Sequence, residues 1–147
     1  VARMNKYIIL LIVGAGINGF GFFYRSFLTN EADKGIDTGI VRELTVVARR
    51  DEWRFVPEDF EVNQGDTIVM TAINEDDYDH GIAIEAAGIS QKMPANSTVT
   101  FRFKVTKAGD YPFYCSVPCG DGEVDGVHRA HEDMLGTIHV RGLVETR

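Results

Sequence analysis

Cysteine is scarce in this chain: 147 residues contain two, Cys115 and Cys119. Two cysteines cannot make a disulfide framework, so the fold has to rest on a packed core. Basic charge is also short, with 15 lysines and arginines against 22 aspartates and glutamates, a net charge of −7. That balance speaks against a nucleic-acid surface and for a basic or cationic partner. No C-x-x-C-H occurs, so the chain carries no covalent haem of its own. Strong helical periodicity is missing after residue 30. The apolar share, 44%, is nevertheless that of an ordinary folded protein.

Charge disappears altogether over residues 7–24, "YIILLIVGAGINGFGFFY". At helical rise this run covers roughly 27 Å, close to the hydrocarbon thickness of a bilayer. Arg3 and Lys6 precede it, and Tyr7 and Tyr24 bound it as interfacial anchors do. A cleaved signal peptide is the rival reading, but the run is long for one and no A-x-A site follows. Within it, "GAGING" (Gly14, Gly16, Gly19) fits the dinucleotide fingerprint G-x-G-x-x-G. That fingerprint needs alternating strands and helices downstream, whereas strand-like sequence follows. The sequence therefore predicts one membrane helix over residues 1–29, running inside to outside. A polar linker follows over 30–42, then an exported domain over 43–147. The glycines, Ala15 and Asn18 give the helix a small and polar face suited to packing against other membrane helices.

Seven short strand candidates recur along the domain: "ELTVVARR", "DFEV", "DTIVMTAIN", "HGIAIE", "STVTFRFKV", "YPFYC" and "LGTIHVR". The clearest alternation puts Val99, Phe101, Phe103 and Val105 on one face and Thr100, Arg102 and Lys104 on the other. "NQGD", "KMPANS" and "KAGD" supply turns. Seven strands at this spacing imply an all-β, Greek-key β-sandwich.

Soft metal ligands gather in one stretch, residues 113–136, "FYCSVPCGDGEVDGVHRAHEDMLG". It holds both cysteines, His128, His131 and Met134. Cysteines four apart in a loop can be a metal site, a redox pair or a local bridge. A thiolate, two imidazoles and a thioether are the ligand set of copper electron-transfer sites, and His80 opens an earlier strand after "NEDDYD". One copper needs only one cysteine. Two thiolates on a turning loop can bridge a pair of copper ions, which makes Cys119 the informative residue.

The pattern "DHGIAIE", "CSVPC", "HEDM" resembles the copper domain of cytochrome c oxidase subunit II, which carries a binuclear CuA centre. "WRFVPEDFEVNQGD" and "MPANSTVTFRFKVTKAGDYPFYC" fit the same framework, and a single membrane helix is similar to the short, B-type form. The resemblance implies a cupredoxin-like fold with two copper ions. Cys115 and Cys119 would be bridging thiolates, His80 and His131 terminal imidazoles, Met134 a weak thioether and Val117 a weak backbone-carbonyl ligand. It further implies one-electron transfer from a soluble cationic donor, a cytochrome c or a cupredoxin, to haem in a haem–copper catalytic membrane subunit. Oxygen chemistry would sit in that partner. The expected location is a prokaryotic plasma membrane, spanned once, with the copper domain on the extracytoplasmic side. Rival readings are a subunit of a nitric-oxide reductase-like enzyme, a membrane-tethered mononuclear electron shuttle and a copper chaperone.

The chain departs from that pattern between Cys119 and the following histidine, where roughly "DGEVDGVH" is extra. His128 and His131 then compete for one ligand position, and only His131 keeps the two-residue spacing to Met134. If His131 is chosen, residues 120–129 are expected to bulge outward as an acidic flap. Asp121, Glu123, Asp125, Gly126 and Glu132 fall at calcium-loop positions, but a histidine stands at position 8 and no helices flank the loop. Asp121, Glu123 and Asp125 are read instead, with Asp77 and Asp79, as candidate docking charges for the donor. The run "EDDYD", residues 75–79, reads most simply as a solvated turn, and His139 as a solvent-facing strand residue. Trp53 and Tyr78 are candidate core or rim aromatics that can serve as an electron inlet if exposed near copper.

Overall fold

The computed structural model describes residues 37–143. The expected membrane helix over 1–29, "GAGING" within it and the first part of the expected linker lie outside those residues. Among the described residues no helix is long and apolar enough to cross a membrane.

The domain forms β1 (Val41–Ala48), β2 (Phe55–Val56), β3 (Asp59–Asn63), β4 (Thr67–Asn74), β5 (His80–Ile84), β6 (Ile89–Met93), β7 (Thr98–Lys104), β8 (Gly109–Tyr114), β9 (Asp121–Val124), β10 (Val127–Ala130) and β11 (Leu135–Arg141). One sheet has the order β2-β1-β4-β7, the other β3-β11-β8-β5-β6, and β9 and β10 form a separate ribbon. β1 runs parallel to β4 and β11 parallel to β3; the remaining pairs are antiparallel. The chain switches sheets repeatedly, which gives the expected all-β sandwich.

Alternation places the core. In β4, Ile68, Met70, Ala72 and Asn74 are buried while Thr67, Val69, Thr71 and Ile73 are half-buried. Ile68, Met70 and Ala72 share one core with Ile82 and Ile84 of β5, Phe103 of β7, Phe113 of β8 and Ile138 of β11. Phe113 sits between Phe55 and Phe60, with ring centroids 5.6 and 6.1 Å away. Burying aromatic side chains of this kind stabilises a fold by about 1.5–3 kcal/mol each.

All seven expected strands are present, and four more accompany them. β6 begins before the expected turn "KMPANS" and takes Lys92 and Met93 into a ladder with β5, so that Met93 faces His80. β2 is a two-residue pairing on the end of β1, too short for any periodicity to show. β9 and β10 come from the extra stretch. It forms a two-stranded hairpin, with Val124 opposite Val127. Asp125 and Gly126 at the turn have φ of 52° and 77°, the left-handed pair of a type I′ hairpin turn.

Candidate metal centre

β5 and β8 lie side by side with Ala83 opposite Tyr114. Their register carries the loop that follows β8 back along the start of β5, where the Ser116 N–H bonds the Gly81 carbonyl at 3.4 Å. This brings His80 to Cys115: His80 Nδ1 lies 3.7 Å from Cys115 Sγ. The second half of the cluster hangs from the short 3₁₀ turn His131–Asp133. There His131 Nδ1 is 3.6 Å from Cys119 Sγ, and Met134 Sδ is 3.5 Å from the same sulfur. The Val117 carbonyl oxygen is 3.2 Å from Cys115 Sγ. The two sulfurs are 3.8 Å apart. That is far beyond a disulfide bond of about 2.05 Å, and both cysteines are free.

All six residues expected to hold copper therefore converge. Each sulfur has one imidazole and one weaker donor beside it. His128 is elsewhere: it stands on β10, 70% exposed, with Nε2 2.9 Å from Asp121 of β9. His80, Cys115 and Met134 are buried, whereas Cys119 and His131 are half-buried. Of the candidate docking charges, Asp77, Glu123 and Asp125 are exposed, Asp79 is bound to Lys92 at 2.6 Å and Asp121 to His128. Asp77 and Asp79 line an open depression of about 650 Å³ together with Tyr78, Val117, Pro118 and Cys119.

The run "EDDYD" is not wholly solvated. Asp76 is buried, 1% exposed, with Oδ2 2.7 Å from His80 Nε2. The Asp51 N–H donates to its other oxygen at 2.7 Å, and the Asp76 N–H is held by Asn74 Oδ1 at 2.9 Å. Nothing in the residue types distinguishes Asp76 from its solvated neighbours. Its place four residues before a candidate ligand was the only available signal. Trp53 completes the surroundings: its Nε1–H donates to the Cys119 carbonyl at 3.1 Å. Gly122 of β9 packs on the indole so closely that a Cβ would meet Trp53 Cη2 at 2.3 Å. The ribbon is thereby seated on the same residue that holds Cys119. His139 is partly exposed on β11, between Asp110 at 2.7 Å and Asp59 at 3.4 Å.

Charge in the cluster follows from this packing. Cys119 beside it holds the Cys115 thiol well below the ordinary thiol range, against its burial, helped by the His80 ring and the backbone of Gly81 and Val117. Cys115 beside it and burial push the Cys119 thiol well above the ordinary range. Burial opposes a charged His80, but Cys115 and Asp76 outweigh it and raise its pKa. Burial pushes the Tyr78 hydroxyl up, as do Asp76, Asp51 and Cys119 around it.

Two thiols, two imidazoles, a thioether and a carbonyl suit a soft, redox-active metal such as copper. One ion with thiolate bonds of about 2.3 Å can touch two sulfurs up to about 4.6 Å apart, and the observed 3.8 Å lies within that reach. His80, Cys115 and Cys119 already hold donor atoms within 4.8 Å of one another.

Sandwich and donor set define a copper-binding electron-transfer domain. The Cupredoxin-like domain family matches residues 27–124, and the chain belongs to it. The match ends before His131 and Met134. Nitrous-oxide reductase of Stutzerimonas stutzeri is 30% identical over 89 residues, 58% of this chain, and the chain spans only 13% of that protein. Plastocyanin of Vicia faba is 37% identical over 87 residues, covering 50% of this chain and 84% of plastocyanin. In fold, the chain is similar to a chain of a heme-copper terminal oxidase dimer. The TM-score is 0.57 at 18% identity, covering 92% of this chain and 97% of that one.

Proposed function

We propose that the chain is the electron-accepting subunit of a membrane haem–copper terminal oxidase, built around a binuclear copper centre. One observation carries the reading: a second sulfur, Cys119, lies 3.8 Å from the first and has its own imidazole and its own weak donor. A site for one copper needs only one such set of donors. A bound copper pair supplies reversible one-electron transfer. The chain's residues do the rest. Strands β5 and β8 fix His80 and Cys115, and the 3₁₀ turn fixes His131 and Met134. Donors drawn from separate parts of a rigid sandwich move little when charge changes, which keeps reorganisation small. Burial of His80, Cys115 and Met134 excludes water from one side, while half-buried Cys119 and His131 leave a short path to the surface.

In this reading residues 1–29 cross a prokaryotic plasma membrane once, with the copper domain on the extracytoplasmic side. A catalytic membrane subunit holds the haem that receives the electron. The likeness to a chain of a heme-copper terminal oxidase, which extends over nearly the whole of both chains, supports it. Asp77, Glu123 and Asp125 offer negative charge to a cationic donor, cytochrome c or cupredoxin. Trp53, half-buried and bonded to the Cys119 carbonyl, is a candidate electron inlet.

The test is metal stoichiometry with Cys119→Ser. The native chain should hold two coppers with a spectrum shared over both nuclei, and the variant one at most. Two coppers and an unchanged spectrum in the variant would refute the binuclear site. One copper in the native chain, with a single blue band, would make it a mononuclear shuttle. Co-purification with a reductase instead of an oxidase would move the same centre to a different respiratory enzyme, the reading favoured by the match to nitrous-oxide reductase.

A further inference from the structure

A buried carboxylate in direct contact with a candidate ligand is unusual enough to need a reason, because an ionised carboxylate is costly to desolvate without compensation. Asp76 is compensated on both oxygens. Oδ1 accepts the Asp51 N–H at 2.7 Å, and Oδ2 faces His80 Nε2 at 2.7 Å. Its backbone is pinned by Asn74, whose side-chain amide in turn holds the carbonyls of Tyr78, Met93 and Pro94 at 2.8, 3.1 and 3.0 Å. Asp51, which donates to it, has a left-handed φ of 54°. Backbone of that kind persists only where its surroundings over-determine it. The Tyr78 hydroxyl is buried nearby, with no hydrogen-bond partner among the described residues. Its ring lies 5.2 Å from that of His80. Among the described residues no carboxylate is hydrogen-bonded to the His131 ring, which faces Cys119.

We propose that Asp76 is a positioning residue for the metal centre: it keeps the proton of His80 on Nε2, turns Nδ1 toward the Cys115 sulfur, and sets a fixed negative charge behind one of the two imidazoles. An imidazole can offer only one nitrogen to a metal, and the bond made by the other decides which. Nδ1 is the nitrogen facing sulfur, so Nε2 has to carry the proton, and Asp76 is its acceptor. The charge has a second effect. It stabilises the more positive, oxidised state of a metal bound at Nδ1, and it does so on the His80 side alone. The two halves of the cluster are therefore electrically unequal, although their donor types match. This rests on the copper reading for its redox part but not for the proton on Nε2.

The experiment uses the full chain with Asp76→Asn and Asp76→Ala. Asn keeps the shape and removes the charge; Ala removes the acceptor. In the metal-free native chain, nitrogen NMR of His80 should show a proton on Nε2. A bare Nε2 with the proton on Nδ1 alone would overturn the proposal, whatever metal the chain binds. After loading with copper, Asp76→Asn should keep its copper and shift the oxidised-to-reduced equilibrium toward the reduced state by about tenfold, which is about 59 mV upward for one electron. Asp76→Ala should bind copper about 10–100-fold more weakly and lose the slowly exchanging Nε2–H resonance. If Ala fails to fold, the Asn variant alone decides: a folded Asp76→Asn chain with an unmoved potential would overturn the charge effect. A native chain that takes up no copper would sink the proposed function and leave the NMR result to decide the Asp76 proposal.

Discussion

Gly122→Ala tests whether the inserted ribbon is seated on the metal loop. A methyl group at residue 122 would lie 2.3 Å from Trp53 Cη2 and 2.4 Å from Cζ3, well inside the optimal carbon contact of about 3.5–4.0 Å. The indole cannot simply swing aside, because its Nε1–H is bonded to the Cys119 carbonyl at 3.1 Å. Either the ribbon lifts or that bond breaks. Overpacking of this kind costs about 1–3 kcal/mol, and the lost hydrogen bond about 1 kcal/mol more. Depending on which gives way the loss is about 1–4 kcal/mol, or about 4–16 °C in Tm at about 4 °C per kcal/mol for a domain of this size. Thermal unfolding of the full chain reads the effect. The same substitution made in a Trp53→Ala background should be neutral to within about 0.5 kcal/mol, since the atoms it strikes are gone. A Tm change below about 2 °C in the native background, or an equal loss in both backgrounds, would refute the seating of the ribbon on Trp53.

Two further outcomes follow from the described contacts. His131→Ala should abolish the copper spectrum and His128→Ala should spare it, because His131 Nδ1 faces Cys119 while His128 is paired with Asp121 on the ribbon; the reverse result in copper titrations would reassign the ligand. Acid stability should depend on Asp66, a fully buried carboxylate. Burial alone would raise its pKa, but Arg42 at 3.1 Å, the Asn63 N–H and Thr38 outweigh burial and hold it below the ordinary carboxylate range. The unfolded chain then takes up that proton first, so Asp66 stabilises the fold above the ordinary carboxylate pKa, and this is lost as pH falls through the folded value. Asp66→Asn should lower stability at neutral pH by about 1–3 kcal/mol and flatten the decline of stability between about pH 5 and pH 2; an unchanged slope in acid unfolding curves would show that Asp66 is not the group responsible.

The sandwich was legible in the sequence because a strand with one buried face must alternate. β4 and β7 show that alternation directly, from Ile68 to Asn74 and from Val99 to Phe103. The ligand types were legible as well, since Cys115, Cys119, His131 and Met134 crowd into one short stretch. The turn of the inserted ribbon was written there too: "VDGV" is Asp-Gly between two valines, a hairpin signal that was obscured by its fit to a calcium loop.

What tertiary structure decided depends on contacts far apart in the chain. His80 reaches Cys115 across 35 residues only because β5 and β8 are neighbours in one sheet. Asp76 looked like one of several solvated acids. It is buried because the loop after β1 brings the Asp51 N–H to it from 25 residues away. Gly122 reads as one of 15 glycines until Trp53 is laid against it. Local pattern determines which residues face inward, because the chain's own geometry repeats every two residues. It cannot determine which distant loop covers a given carboxylate, because that follows from strand order, and strand order is settled only when both sheets pack.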